Sequence, residues 1–259
     1  MLDIALSLTS GSGVHRSGAS PTPSIPFIYD ANTYFWDFVA NDNVVDSLGA
    51  ATVSKTRERI ADKASLQNYN KSLQPLQVSG GISFNQLTNR SLGFDSPPLI
   101  TNGRNGWYFA AVITPTTTNS YIMEISRATS TVGSRMQLYF SGSRNIVLKL
   151  GSGDSATLTT VFTSVQLTLG QKYAIEVLLD FDADTCTLWI NGVQQAITVT
   201  GAPWTNFPSS NPQRITIGNS APGALSFDGI INNIVFQDGV PASDIRSSIS
   251  AFQQTRQAA

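Results

Sequence analysis

Few side chains in this chain have the means to bind or react. Residues 202–212 present Trp204, Asn206 and Phe207 in a loop stiffened by three prolines. Sugar sites pair such an aromatic platform with amide hydrogen-bonders, so this loop is a candidate glycan site. Its competing reading is a plug at the edge of a core. Asp180-Phe-Asp-Ala-Asp184 sets three carboxylates at alternate positions, as at the start of a calcium-binding loop. A helix–loop–helix calcium site needs Gly after the third acid and Glu at its end, where Thr185 and Asn191 stand. A polar hairpin tip is the simpler account of these residues.

Nucleophilic chemistry finds little support. His15 is the sole histidine and lies among Ser, Gly, Thr and Pro, a poor place to hold the geometry of a base beside a nucleophile. Cys186 is the sole cysteine, which excludes an intrachain disulfide and a cysteine-rich metal site. It occupies an inward-alternating position and reads as a packed core thiol. The chain contains only three glutamates, Glu58, Glu124 and Glu176.

β-Structure must position these groups. Tyr173, Ile175, Val177, Leu179 and Phe181 alternate, and Cys186, Leu188 and Ile190 alternate after the Asp182-Ala-Asp184 tip. A period of two marks half-buried strands. Asn191-Gly192 then supplies a strong hairpin-turn signal. Upstream, residues 27–29, 34–38, 79–84 and 90–94 read as short strands, and 106–115 as a buried strand ended by proline. Residues 121–125, 135–140 and 145–150 continue the series, and 213–218 and 227–236 close it. Trp36, Trp107 and Trp189 fall in strands, the first two packing internally. Glu176 reads as a solvent-facing strand residue.

Two stretches break this rhythm. Residues 39–75 are polar and poorly periodic, and read as one long irregular excursion of the kind that carries function or subunit contacts. Within it, Lys55-Thr-Arg-Glu-Arg59 contains its own acid and reads as a solvated loop. Residues 241–252 switch to helical spacing, with Ile245, Ile249 and Phe252 on one face, Ser243 as cap and Asp244 at the positive end. The expectation is an all-β body with one short C-terminal helix.

Composition limits the partners. Charged residues make up 13%, about half the usual share, and the formal net charge is −1 with the basic residues scattered. Nucleic acid needs a concentrated cationic footprint and is excluded as a partner. No stretch approaches the apolar length of a membrane-spanning helix, so no membrane insertion is expected. Met1-Leu-Asp-Ile-Ala-Leu-Ser-Leu8 is too short an apolar run for a secretory signal, and Asp3 stands where positive charge belongs. Residues 1–26 read as an extended arm and 27–259 as one domain. Leu2, Ile4, Leu6 and Leu8 alternate like a strand seeking an edge, which suits an anchoring arm; a frayed terminus is the alternative.

The order of segments carries a resemblance. The long strand, the Asp-x-Asp tip, Leu188-Trp-Ile-Asn-Gly-Val193, Ile215-Thr-Ile-Gly-Asn-Ser220 and Phe227-Asp-Gly-Ile-Ile-Asn-Asn-Ile-Val-Phe-Gln237 together resemble laminin-G/concanavalin-A-like jelly rolls. That resemblance implies a two-sheet antiparallel sandwich. Trp36-Asp-Phe, Asp62-Lys63, Gln74-Pro75 and Gly80-Gly-Ile-Ser-Phe84 also follow in the order seen in such domains of tailed-phage structural proteins. Ala-Ser follows Asp62-Lys63 where those proteins read Ser-Gly, and Asn85-Gln86 replaces their Asp-Gly.

The resemblance implies a non-enzymatic virion protein, a capsid decoration or a tail or fibre component, anchored by its arm. Its partners would be other virion proteins and further copies of itself. The alternative is a glycan-binding module for attachment to a host surface, on a virion or secreted. Glucanases similar to this jelly roll carry Glu-x-Asp-x-x-Glu on a concave strand for retaining hydrolysis. None of the three glutamates here belongs to that motif. Some laminin-G-like domains hold calcium at the sandwich rim; Asp228 and Asp154 would join Asp180, Asp182 and Asp184 as candidate ligands. No other cofactor is expected.

Overall fold

The computed structural model describes residues 24–39, 43–46, 51–60, 65–68, 71–95, 105–127, 136–151, 158–201, 213–219 and 226–259. Seven short strands come first: β1 (Thr33–Asp37), β2 (Asn43–Asp46), β3 (Thr52–Thr56), β4 (Leu66–Gln67), β5 (Leu76–Val78), β6 (Gly81–Phe84) and β7 (Leu92–Asp95). Longer ones follow: β8 (Gly106–Pro115), β9 (Ser120–Arg127), β10 (Met136–Phe140), β11 (Ile146–Gly151), β12 (Leu158–Thr163), β13 (Tyr173–Asp180) and β14 (Thr185–Ile190). Then come β15 (Val193–Gln194), β16 (Ile197–Thr200), β17 (Gln213–Ile217), β18 (Gly229–Asp238) and helix α1 (Ser243–Ala258).

The ladders resolve into two antiparallel layers. In the first, β1 and β6 share one edge of β18, and β8, β13, β14 and β15 follow in turn. In the second, the order is β4, β7, β17, β9, β10, β11, β12 and β16. Strands β3 and β5 join the two layers by pairing with β4 and β6. The chain is an all-β jelly-roll sandwich with one C-terminal helix.

Alternation decides which residues fill the sandwich. Trp107, Phe109, Ala111 and Ile113 of β8 point between the layers, as do Ile175, Val177 and Leu179 of β13 and Trp36 of β1. The even-numbered Tyr108 and Ala110 point the other way. There they meet Phe35, Val235 and, on the helix, Ile245 and Ile249. Helix α1 therefore lies on the outer face of the first layer, which is why β8 is buried along nearly its whole length. Asn191 and Gly192 both adopt positive φ (52° and 76°), as the predicted two-residue hairpin between β14 and β15 requires. A side chain at Gly192 would collide with Gln254 of the helix.

Several expectations are corrected. Residues 27–29 form no strand: Phe27 instead packs edge-on against Phe35 at 5.0 Å and beside Phe252 at 5.3 Å, and the Ile28 amide donates to Ser248 Oγ. Residues 39–75 are not one irregular excursion but contain β2, β3 and β4, whose few alternating residues hid them. Strands β12, β15 and β16 also escaped the sequence reading, being rich in Thr and Gln and short of apolar alternation. The helix runs on to Ala258. Its N-cap is Ala242 without a side-chain hydrogen bond, so Ser243 does not cap it, whereas Asp244 does sit in the first turn.

The segment 55–59 is solvated only in part: Lys55 and Arg57 are exposed, but Thr56 and Glu58 are buried. The Glu58 carboxylate is fully buried and accepts from the amides of Phe35 (3.0 Å) and Ile60 (2.9 Å). Arg59 pairs with Asp37 at 2.7 Å. Of the arm expected at residues 1–26, residues 1–23 lie outside the described residues; Ile25, within it, packs with Phe27 on the helix side of the sandwich.

Candidate functional site

The two outer faces of the sandwich differ in what they carry. On the first layer the register aligns Phe35, Val235, Ala110, Glu176 and Trp189 across five strands. Helix α1 covers this row. Glu176, expected in solvent, is fully buried beneath it and accepts from Tyr108 Oη and Ser250 Oγ, both at 2.7 Å. Arg246 approaches the same carboxylate at 4.0 Å and lies over the Trp189 ring at 4.6 Å. Burial, reinforced by the Glu176 charge and hydrogen bond, raises the Tyr108 phenol well above its ordinary range. Asp37 receives Arg59 and Arg256, each at 2.7 Å, and Gln253 accepts from Asn233 at 2.8 Å. Each of these side chains makes at least one contact within the fold, while Asn233 Oδ1 and Gln253 Nε2 are buried without a hydrogen-bond partner among the described residues.

On the second layer, by contrast, no described helix lies over the outer face. The register places Gly93, Thr216, Glu124, Gln137, Lys149, Thr160 and Thr200 in one line across β7, β17, β9, β10, β11, β12 and β16. At about 4.8 Å per strand the line is roughly 29 Å long. A neighbouring line carries Tyr121, Tyr139, Val147, Phe162 and Thr198. Tyr121 and Glu124 share a face although three residues apart. The register shift opposite Leu138 inserts one extra residue, and such a bulge re-aims the side chains that follow.

The line changes character along its length. Gly93, Thr216 and Glu124 are buried, and the Arg214 guanidinium lies beside Gly93, where a Cβ would press closest on the Ile215 carbonyl. Gln137 donates to Glu124 at 3.4 Å. The Thr216 hydroxyl is buried without a hydrogen-bond partner among the described residues. From Gln137 onward the side chains are half-buried or exposed. Tyr139 packs against Tyr121 with ring centroids 5.2 Å apart and planes tilted by 30°. The Lys149 ammonium lies 5.1 Å from the Tyr139 centroid. Because β10 runs between β9 and β11, Tyr121 and Lys149 approach that ring from opposite sides. The stack presents phenolic edges and an ammonium to solvent. Half-burial, the neighbouring Tyr139 and the Glu124 charge raise the Tyr121 phenol, keeping its hydroxyl neutral and able both to donate and to accept.

The candidates from sequence fare unevenly. Trp204, Asn206, Phe207 and Asp154 lie outside the described residues. Asp180, Asp182 and Asp184 form the polar tip of the β13–β14 hairpin, where Asp180 accepts from the Ala183 amide at 2.9 Å and Asp184 takes positive φ. Asp228 is at the far end of β8, beside Pro115, accepting from Thr116 Oγ1 at 3.0 Å. Asp180 pairs with Gly106 at the near end, so some 30 Å of strand separates these acids and no single ion can bridge them. Among the described residues no three His, Cys, Asp or Glu side chains gather closely enough to hold a metal. Cys186 packs half-buried against the core, and burial pushes its thiol up to about 12. Sequence reasoning missed the Tyr121–Gln137–Tyr139–Lys149 cluster. Alternation marked its strands but could not say which of them would be neighbours.

Among the described residues these geometries bring hydrogen-bonding groups into line, while the three glutamates stand apart from one another. Glu124 and Glu176 sit on the outer faces of opposite layers, and Glu58 is engaged by two backbone amides. Retaining glycoside hydrolysis needs two carboxyl groups about 5 Å apart across one cleft.

No family model matches the chain, and no curated protein matches it in sequence. Solved structures do match in shape. The chain superposes on Trypanosoma rangeli sialidase with a TM-score of 0.57 at 14% identity, over 90% of this chain and 36% of that one. The carbohydrate-binding module CBM40 of Ruminococcus gnavus IT-sialidase, bound to α2,3-sialyllactose, gives 0.46 at 14% identity over 56% of this chain and 83% of the module. The heptameric SAP-like pentraxin from Limulus polyphemus gives 0.44 at 15% identity over 68% and 78%. The chain thus spans about a third of the sialidase. Likeness at such identities defines a class of architecture, the jelly-roll sandwich, and nothing narrower.

Proposed function

We propose that this chain is a non-catalytic carbohydrate-binding module whose ligand lies on the outer face of the second layer. One observation carries the reading. The first layer's outer face is sealed by helix α1, while the second presents Tyr121, Gln137, Tyr139, Lys149 and Thr160 on adjacent strands. Sugars are recognised by aligned hydroxyl, amide and charged groups beside aromatic surface, on elements rigid enough to hold them without an ordering cost. Strand-borne side chains meet that requirement better than loop-borne ones. The separation of the three glutamates supports a binding role over a hydrolytic one.

Attachment to a tailed-phage particle, with capsid or tail proteins and further copies of the chain as partners, is proposed on the sequence resemblance alone. A virion and a secreted protein are two settings for one binding activity. Mass spectrometry of purified particles separates them.

The test of the module is a glycan array followed by titration with the best ligand. Parent protein is expected to bind at micromolar concentration. Tyr139→Ala should weaken binding at least tenfold while the protein stays folded, and Trp204→Ala should leave affinity unchanged. If Trp204→Ala abolishes binding and Tyr139→Ala does not, the loop holding Trp204, Asn206 and Phe207 is the site instead. No binding to any glycan would return the chain to a purely structural role.

A further inference from the structure

We infer that the second layer's outer face takes an acidic glycan, with a ligand carboxylate paired to Lys149 and the chain running across the strands. This rests on the carbohydrate-binding reading above and sharpens it to a ligand class.

The ammonium carries the argument. Arg59 and Arg256 are paired to Asp37, and Arg246 approaches Glu176. Lys149 has no carboxylate partner among the described residues; its one described contact is the Tyr139 ring. The nearest acid of its own line, Glu124, stands two strands away, about 10 Å, and already receives Gln137. A cation held over an aromatic face is positioned without being neutralised, because the ring offers only its quadrupole. It therefore keeps its full capacity for an anion, and an ammonium–carboxylate pair is stronger than a bond between neutral groups.

Direction follows from register. Gln137, Lys149, Thr160 and Thr200 sit at one level on β10, β11, β12 and β16, a run of about 14 Å perpendicular to the strands. Tyr121, Tyr139 and Phe162 flank it on the same side. Toward β9 the line sinks into the buried Glu124, where a second anion would be repelled. The accessible part is thus an elongated strip with its positive charge between an amide and a threonine hydroxyl. A short acidic oligosaccharide fits that pattern; a cationic or amino sugar does not.

The experiment uses the full chain and isothermal titration with oligogalacturonate, hyaluronan and oligosialic acid fragments. Each is compared with its carboxyl-methylated, neutral counterpart. At least one acidic fragment is expected to bind about tenfold tighter than its neutral form, the gain of one charge-assisted pair, and to weaken as salt is added. Lys149→Gln should abolish that preference while residual binding to both forms remains, and Lys149→Arg should retain it. Equal affinity for acidic and neutral forms, or a preference that survives in Lys149→Gln, overturns the acidic-ligand inference and leaves the module intact. Absence of binding to every fragment, together with a blank glycan array, overturns both.

Discussion

Two glutamates occupy matching places and lead opposite lives. Glu176 and Glu124 each sit mid-strand on the outer face of one layer, and each is fully buried. Around Glu176 the fold supplies Tyr108, Ser250 and Arg246, two of them from helix α1. Glu124 receives Gln137 from the neighbouring strand, and a tyrosine stack and a lysine with no carboxylate partner among the described residues lie within two strands of it. One outer face is covered by helix α1; over the other no described helix lies. A buried glutamate on an outer sheet face is therefore not a binding site by itself, since both faces have one. What distinguishes them is that helix α1 packs over the first and supplies partners to its glutamate.

The covered face also shows how a polar helix stays docked. Only Ile245 and Ile249 are buried apolar residues on α1, with Phe252 half-buried beside them. The rest of the attachment is polar: Arg256 to Asp37, Gln253 to Asn233, Ser250 to Glu176, Ser248 to the Ile28 amide and Gln257 to the Lys172 carbonyl. Buried polar contacts of this kind are strongly destabilising when half of one is removed, because the partner is left without hydration.

The contrast can be broken most forcefully at Asp37. Asp37→Ala leaves Arg59 buried without its counter-ion and unfastens Arg256; urea unfolding should show a loss of about 3–5 kcal/mol. A loss below about 1 kcal/mol would mean that the helix face is not held by this ion pair. Ile249→Ala removes the one fully buried apolar side chain of α1 and should cost about 2–3 kcal/mol, toward the low side because the small outer cluster can relax. On the other face, Tyr139→Ala should cost only about 0.5–1.5 kcal/mol, the worth of a partly exposed aromatic pair, while binding falls. Equal destabilisation by Ile249→Ala and Tyr139→Ala would remove the distinction between a structural and a free face.

The finest test is an alkaline titration of tyrosine absorbance. Both Tyr108 and Tyr121 have raised values, so each contributes stability that is present below the ordinary phenol value near 10 and lost as pH climbs through its folded value. Tyr108, raised well above by burial, should ionise only as the protein unfolds. Tyr121, half-exposed, should ionise in the folded state above the ordinary value, and Tyr121→Phe should delete that step alone. Simultaneous ionisation of the two would place them in equivalent environments and contradict the comparison.

Much of the architecture is legible in the sequence. Alternation at 173–181 and 185–190 marks the central hairpin, Asn191-Gly192 its next turn, and the 245/249/252 spacing the helix, because each rests on a local period or a local backbone preference. Strands β12 and β16 were hidden, since residues such as Thr159, Thr160, Thr198 and Thr200 leave no apolar period to detect. The site was illegible for another reason. Tyr121, Tyr139 and Lys149 lie on three strands whose pairing the sequence does not print, and a bulge opposite Leu138 reverses the parity that simple alternation assigns.

From residue order alone follow the all-β class, the hairpin, the amphipathic helix and the poverty of acid–base chemistry, all properties of short windows or of counts. The tertiary structure alone decided that Glu58 and Glu176 are interior, that Arg59 and Arg256 converge on Asp37, and which sheet face the helix covers. Those outcomes depend on contacts between residues far apart in the chain, such as the 219 positions separating Asp37 from Arg256. Burial is a property of what arrives from elsewhere in the chain, and so was the difference between a glutamate beneath the helix and one on the face that no described helix covers.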